Sequence, residues 1–390
     1  MLALLGVAWL LSNDRKAVSL RLVLAGMALQ FLFAVAILWT TPGKVLFSWA
    51  RELITRVLAS SDAGAEVVFG ETFKEHFFAF AVLPAIIFVA STMAILFHLG
   101  ILQKVIAGMA KAMAKVMNVS GSESLCAAAN VFAGHTEAPL AIRPYLATMT
   151  RSEIMAMMTG GMATVSGGTL AAYAGLGVDP GHLLTASVIS APASLVVAKI
   201  MIPETQESPT KGEVKIVVPK QDANLLDAAC RGASEGVRLA INVAAMLIAF
   251  LALVALVNEG FKIFPEVAGE PLTLEKVLGW AFAPVAWIIG VEWKDARAVG
   301  MLLGKKTILN EFVAFIDLAE LKDQISERSY ILSVYALCGF ANFGSIAVQI
   351  GGIGSLVPER RKDFAQLGFR AMIAGTIATL LTATVVGMLI

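Results

Sequence analysis

Apolar stretches able to cross a bilayer recur along the whole chain, near residues 2–14, 18–40, 77–100, 153–175, 182–202, 236–258, 328–351 and 369–389. A hydrocarbon core of about 30 Å takes about 20 helical residues, and every backbone amide and carbonyl inside it must be satisfied without water. The stretches therefore predict an all-α integral membrane protein with about eight transmembrane helices. Composition agrees: 390 residues at 58% hydrophobic and 15% charged carry more apolar surface than a water-soluble domain could bury. The first stretch is short. Twelve helical residues reach only about 18 Å, so this helix is expected to continue toward Lys16, with its basic side chains snorkelling. A positive n-region and a small-residue cleavage site are both missing there, which reads as a span rather than a signal peptide.

Charge narrows the function by exclusion. With 30 Lys and Arg against 29 Asp and Glu, no basic field is present to recruit nucleic acid. Cys126, Cys230 and Cys338 form no CxxC pair, and four scattered histidines lack zinc spacing, which argues against a disulfide framework or structural metal. Counting crossings in order puts Arg15, Lys16, Arg21, Lys104, Lys111, Lys115, Arg143, Arg151, Arg360, Arg361 and Lys362 on one side, predicted to be cytoplasmic with both termini outside. Lys294, Arg297, Lys305 and Lys306 fall on the opposite face. Residues 203–235, with Pro203, Glu204, Glu207, Pro209, Lys211, Glu213, Asp222 and Asp227, read as a cytoplasmic linker. The amphipathic stretch 43–58 reads as a helix lying in the interface.

Two further apolar regions, 121–145 and 274–318, are interrupted at mid-length by Gly, Pro and charge, which lipid-facing helices do not tolerate; they predict re-entrant helical hairpins. Laid side by side they expose an internal repeat. Thr136-Glu137 is followed after about 25 residues by GMATVSG (161–167), and Asn310-Glu311 is followed by GFANFGS (339–345). Each half thus offers a hairpin with a polar, acidic tip and then a helix broken by small and hydroxyl residues. With one hairpin entering from each side, the repeats are inverted. Such paired interruptions point to a transporter site at the repeat interface. The expected organisation is scaffold and interfacial helices over 1–118, a first repeat over 119–202, a linker and scaffold helix over 203–265, and a second repeat over 266–390.

Glu137 and Glu311 are the most informative residues. An ionisable group at membrane depth costs at least about 2.5 kcal/mol unless compensated, and here two occupy corresponding repeat positions. A membrane-embedded hydrolase using Glu137 and His135 is disfavoured, because adjacent helical positions point about 100° apart and no catalytic set completes the pair. A passive channel would need a continuous polar lining rather than paired helix breaks.

Four segments, NVFAGHTEAPLAIRPY (130–145), GGMATVSGGTLAAY (160–173), GKKTILNEFVAF (304–315) and CGFANFGSIA (338–347), resemble, in order and spacing, the motifs of concentrative nucleoside transporters. The resemblance runs from about residue 15 to the end. It implies a non-enzymatic symporter of the inner (plasma) membrane that imports nucleosides such as uridine by alternating access. It also implies a homotrimer surrounded by membrane lipid, sodium as the coupling ion and no organic cofactor. By motif position, His135, Thr136 and Glu137 would face the nucleobase, with Thr169 and Phe340 lining its pocket, while Glu311, Asn342 and Ser345 would grip the ribose. Sodium would lie between Asn130, Ala133, Thr164 and Val165, held mainly by backbone carbonyls and one hydroxyl. The set is chemically competent, because vicinal hydroxyls donate to a carboxylate and accept from amide and hydroxyl groups. His135 departs from the family pattern, where glutamine is usual, and Thr169 stands where an aliphatic residue is common. Proton coupling remains the alternative to sodium.

Overall fold

The structure, a computed structural model, describes residues 1–76, 78–211, 222–266 and 271–390. Glu213 of the predicted linker lies outside the described residues. Every regular element among them is helical. The chain begins with α1 (Leu2–Leu10), α2 (Leu20–Leu38), α3 (Thr41–Phe69), α4 (Leu83–His98) and α5 (Ile101–Met117). Then come α6 (Gly121–Ala129), a 3-10 segment (Ala138–Thr148), α7 (Arg151–Ala163), α8 (Gly167–Gly175), α9 (Pro180–Met201) and α10 (Leu225–Phe261). The last part holds α11 (Leu274–Ile288), α12 (Ala296–Ile308), α13 (Glu311–Glu320), α14 (Glu327–Leu337), α15 (Phe343–Leu356) and α16 (Arg361–Gly387).

Five described helical stretches are long and apolar enough to cross a membrane unbroken: Leu20–Leu38, Phe78–His98, Pro180–Met201, Leu225–Phe261 and Pro358–Gly387. Two further predicted crossings are the broken pairs α7/α8 and α14/α15, and the last is α1. Burial sorts these into layers. The apolar windows of α9 and α16 are 89% and 78% buried, whereas those of α2 and α10 are 28% and 17% buried, so α9 and α16 form the protein-facing centre.

Three sequence expectations change. The first helix stops at Leu10 rather than running toward Lys16, because the Arg15 guanidinium folds back to donate to the Leu10 carbonyl at 2.9 Å. The predicted interfacial helix is longer, 29 residues from its Thr40 cap, whose hydroxyl accepts from Gly43 N–H. The second interrupted region is not one hairpin over 274–318. Its α11 is a separate helix, ended by a turn through Gly290 at φ 104°, and the short pair matching α6 and the 3-10 segment is α12 with α13.

Breaks are defined by side chains that start new helices. Ser166 caps α8 and Asn342 caps α15, each accepting from the amide three residues on (Thr169 and Ser345). Such caps compete with helix continuation and satisfy amides that lipid could not. The two breaks also touch: a Cβ on Gly339 would fall 2.8 Å from the Met162 carbonyl oxygen, so the second break packs on the end of α7 through a bare glycine. Beneath the first repeat, residues after α9 fold back over the starts of α6 and α7. Gly121 N–H donates to the Thr210 carbonyl at 3.0 Å, and Glu153 accepts from Ser122, Ser208 and Thr210. Buried Lys199 pairs with Glu123 at 2.7 Å and Glu204 at 3.3 Å.

Helix α10 meets α4 through Ala228, Gly232, Gly236 and Ala240, buried residues spaced four apart. Small residues at this spacing let membrane helices approach closely. A Cβ on Gly236 would lie 2.6 Å from Ile87 Cα, and one on Gly232 would lie 2.7 Å from the Ala90 carbonyl oxygen. Gly236→Leu is therefore expected to destabilise the fold by about 1–3 kcal/mol through overpacking. A lower unfolding temperature in detergent checks this, with Ile241→Ala, on the exposed side of the helix, as control.

Candidate functional site

The site is assembled where both broken helices and both short pairs converge. After α6 the chain turns through Asn130 to Glu137, and Glu137 closes this turn on itself: its Oε2 accepts from Gly134 N–H at 3.0 Å, while its own N–H donates to the Gly134 carbonyl at 2.9 Å. One carboxylate oxygen is thus committed to shaping the loop. The side chain is exposed to a cavity of about 820 Å³. His135 lies beside Gly161 of α7, where a Cβ would come within 2.6 Å of the His135 Cβ. Its ring tilts against Phe340, centroids 5.0 Å apart, and its Nδ1 is buried without a partner. The Thr136 methyl packs at Gly352 of α15, where a Cβ would clash at 2.5 Å.

Glu311 opens α13 behind its cap Asn310, whose Oδ1 accepts from Val313 N–H at 2.9 Å. Its carboxylate is 6% exposed and held from two sides. Tyr173 on α8 donates its hydroxyl to Oε1 at 2.9 Å, and Asn342 Nδ2 donates to Oε2 at 2.9 Å. A carboxylate offers about four acceptor positions, so roughly two remain for the cavity, the number that two vicinal hydroxyls require. Asn342 is bifunctional, because its Oδ1 accepts from Ser345 N–H at 2.8 Å and fixes the amide orientation. Tyr173 is fixed in turn by stacking on Phe315, centroids 4.2 Å apart.

All eight residues expected to meet substrate, His135, Thr136, Glu137, Thr169, Glu311, Phe340, Asn342 and Ser345, line this one cavity. Thr169 is constrained: its hydroxyl donates to the Ser166 carbonyl at 2.9 Å, which leaves it an acceptor toward the cavity. Tyr173 is the site residue the sequence reading missed, although a tyrosine hydroxyl in an apolar span demands a buried partner. Opposite these groups α10 supplies Leu239, whose methyl lies 3.1 Å from where a Gly168 Cβ would be. Toward one end of the cavity, Arg231 donates to both oxygens of Asp222 at 2.6 and 3.0 Å, and this fork holds the Asp222 carboxyl below the ordinary carboxylate range.

The four residues expected around a cation also come together in part. Asn130 and Thr164 are 1% and 2% exposed. The Asn130 amide lies against α7, its Nδ2 3.1 Å from where a Gly160 Cβ would be, and its Oδ1 is buried without a partner. The Thr164 hydroxyl donates to the Gly160 carbonyl at 2.9 Å, and its backbone is extended (φ −129°, ψ 170°) as α7 ends. Val165 is buried behind it and Ala133 borders the large cavity. An orphaned amide oxygen, a hydroxyl with free lone pairs and the carbonyls of a helix end suit a hard cation.

Broken helices that bring polar groups to a cavity between membrane helices define a transporter of solutes rather than an enzyme. Comparison with known proteins narrows the class. Residues 182–387 match the model "Na+ dependent nucleoside transporter C-terminus", residues 1–72 the corresponding N-terminus, and residues 79–179 "Nucleoside recognition". The chain is 40% identical to the uncharacterized transporter YutK of Bacillus subtilis, covering 100% of this chain and 97% of that protein. It is 42% identical to sodium/nucleoside cotransporter 1 of Rattus norvegicus, over 97% of this chain and 61% of the relative. The chain spans about three fifths of the length of its animal relatives. The solved structure of CNTnw in an inward-facing, substrate-bound state superposes with a TM-score of 0.93 at 39% identity, over 99% of this chain and 95% of that one. An outward-facing CNTnw double variant matches at a TM-score of 0.92. The chain belongs to the sodium-dependent nucleoside transporter family, and it is a multi-pass membrane protein.

Removing the Tyr173 hydroxyl leaves one oxygen of a buried carboxylate unpaired, a loss worth about 1.5–3 kcal/mol. Tyr173→Phe keeps the stack on Phe315 and is expected to weaken nucleoside binding by roughly tenfold or more. Equilibrium binding of uridine to the purified variant measures this, and unchanged affinity would show that Tyr173 does not tune Glu311.

Proposed function

We propose that this chain is a symporter of the plasma membrane that imports nucleosides, drives them with sodium and works by alternating access. The observation that carries the reading is Glu311, a buried carboxylate oriented by Tyr173 and Asn342 with its free acceptor positions toward the cavity. In this reading Glu311, Asn342 and Ser345 hold the ribose, and the vicinal hydroxyls complete the carboxylate's remaining bonds. His135, Thr136 and Glu137 meet the base edge beside Phe340, with Thr169 as an acceptor. These groups supply both donors and acceptors, which a purine or pyrimidine edge needs.

Sodium, when bound, supplies a positive charge at the end of α7 and couples the ion gradient to the nucleoside. Asn130 Oδ1, the Thr164 hydroxyl and the carbonyls of Ala133 and Val165 are the groups proposed to hold it. The hairpin turn and the break after α7 carry both ligand sets, since Asn130 and His135 lie on one turn and Thr164 and Thr169 flank one break. Occupying one site therefore orders the other, and each ligand raises the other's affinity by the same factor. The two short pairs enter the membrane from opposite sides as re-entrant hairpins. Together with the broken helices they form the moving unit, the remaining helices form a scaffold, and three copies assemble with one pathway each, as in the family this chain resembles.

Uptake of labelled uridine and adenosine into proteoliposomes tests class and coupling together. An inward sodium gradient at fixed pH is expected to drive accumulation; accumulation under an inward pH gradient in sodium-free buffer would reject sodium and leave the nucleoside site standing. Glu311→Gln is expected to weaken binding by about 1.5–3 kcal/mol, roughly ten- to more than a hundredfold, while the protein still inserts. Wild-type uridine affinity in this variant would refute the ribose assignment. Thr164→Val is nearly isosteric and removes only the hydroxyl, so sodium dependence is expected to weaken more than nucleoside binding at saturating sodium. Equal losses in both would remove Thr164 from the cation site.

A further inference from the structure

Each broken helix ends its first half inside the protein, where the last carbonyls lack helical partners and carry the negative end of the half-helix dipole. At the end of α7 the proposed answer is the sodium site. At the end of α14 the chain supplies a cation of its own. Lys306, in the last turn of α12, is 1% exposed. Its Nζ donates to the carbonyl of Ala336, in the last turn of α14, at 2.7 Å and to the Thr379 hydroxyl of α16 at 3.0 Å. The neighbouring Lys305 behaves differently, pairing with Asp317 at 2.7 Å and Glu275 at 3.6 Å. Among the described residues Lys306 makes no such pair with a carboxylate.

A buried ammonium with no carboxylate in ion-pair contact costs several kcal/mol, and a methionine of similar length would fill this space without that cost. The ammonium is therefore held for its charge and its oxygen partners. Those partners, a half-helix carbonyl and a threonine hydroxyl, are the kinds of group proposed to hold sodium at the end of α7. A cavity of about 10 Å³, lined by Lys306, Thr307, Ala336 and Thr376, adjoins the side chain, and this is close to the space of one water.

We propose that Lys306 is a tethered cation: its ammonium occupies, at the break of the second repeat, the position that sodium takes at the break of the first. The chain then binds one sodium per nucleoside, and removing the amine opens the second position to an ion from solution. Lys306 is on this view a positioning residue that acts through Ala336 and Thr379 and does not touch substrate. The inference rests on the reading of the chain as sodium-coupled.

The test compares wild type with Lys306→Met in proteoliposomes and in detergent. Three quantities are followed: uridine uptake against sodium concentration, charge moved per uridine, and unfolding temperature in sodium against choline. Wild type is expected to show a sodium Hill coefficient of about 1 and about one charge per uridine; Lys306→Met is expected to need more sodium, with both values approaching about 2 and a steeper gain of stability with sodium, since each bound ion adds its own linkage term. A wild-type coefficient of about 2 overturns the proposal whether or not the variant folds. So does a Lys306→Met protein with wild-type sodium dependence, or one that sodium fails to stabilise beyond wild type. Wild-type uptake that ignores sodium altogether would instead remove the functional reading, and the two failures are distinguishable.

Discussion

A helix broken at membrane depth leaves amides and carbonyls that lipid cannot satisfy, and this constraint organises the protein. The answer is to bring the two breaks together. Gly339 lies on the end of α7, Ser166 and Asn342 cap the halves that follow, and α9 and α16 enclose the junction. Irregular backbone survives there because each freed group faces protein or the cavity. Those unpaired groups are also what a polar solute and a cation can use, so the structural cost and the binding capacity arise from the same atoms.

Charge follows the same geometry. Glu311 starts a helix, where its negative charge meets the positive end of the dipole, and it is further held by Tyr173 and Asn342. Lys306 points to the end of one. Glu137 closes the opposing loop through Gly134. Away from the cavity, a second buried network joins Lys199, Glu123, Glu153 and Glu204 to the starts of α6 and α7 and to the chain after α9. It anchors the first short pair from below, so the loop carrying His135 to Glu137 rests on a fixed base. The α4/α10 contact is of another kind, close-packed through glycine and crossed by the Ser91 hydroxyl donating to the Ala229 carbonyl at 2.9 Å, and it carries Leu239 to the wall beside Thr169.

Much of this is legible in the sequence. Hydropathy located the crossings, and Gly, Pro and charge within apolar runs located both interrupted regions. Two glutamates at matching positions of the two interrupted regions point to the candidate site. Helix ends were less legible: α1 stops early because Arg15 reaches back to Leu10, a contact no periodicity encodes. The second short pair was misjudged because α11 and α12 are both apolar, and the turn at Gly290 that separates them resembles a hairpin interruption. The capping boxes Ser120-Gly-Ser-Glu123 and Thr150-Arg-Ser-Glu153, and the Gly232-x-x-x-Gly236 spacing, are local patterns that mark two helix starts and the α4/α10 contact.

The sequence by itself determined the solvent and the helical class and marked the paired interruptions and the residue types of the candidate site, because hydropathy, helix breakers and intramembrane charge are local properties of the chain. Only the tertiary structure decided which groups meet. Tyr173 reaches Glu311 across 138 positions, Asn342 across 31, and Lys306 finds Thr379 across 73. Such pairings depend on how broken helices cross, and hydrogen bonds require distances near 3 Å that no spacing along a chain can specify. Tertiary structure also decided that Thr169 spends its proton on Ser166 and that two adjacent lysines take opposite roles, Lys305 among carboxylates and Lys306 among carbonyl and hydroxyl oxygens.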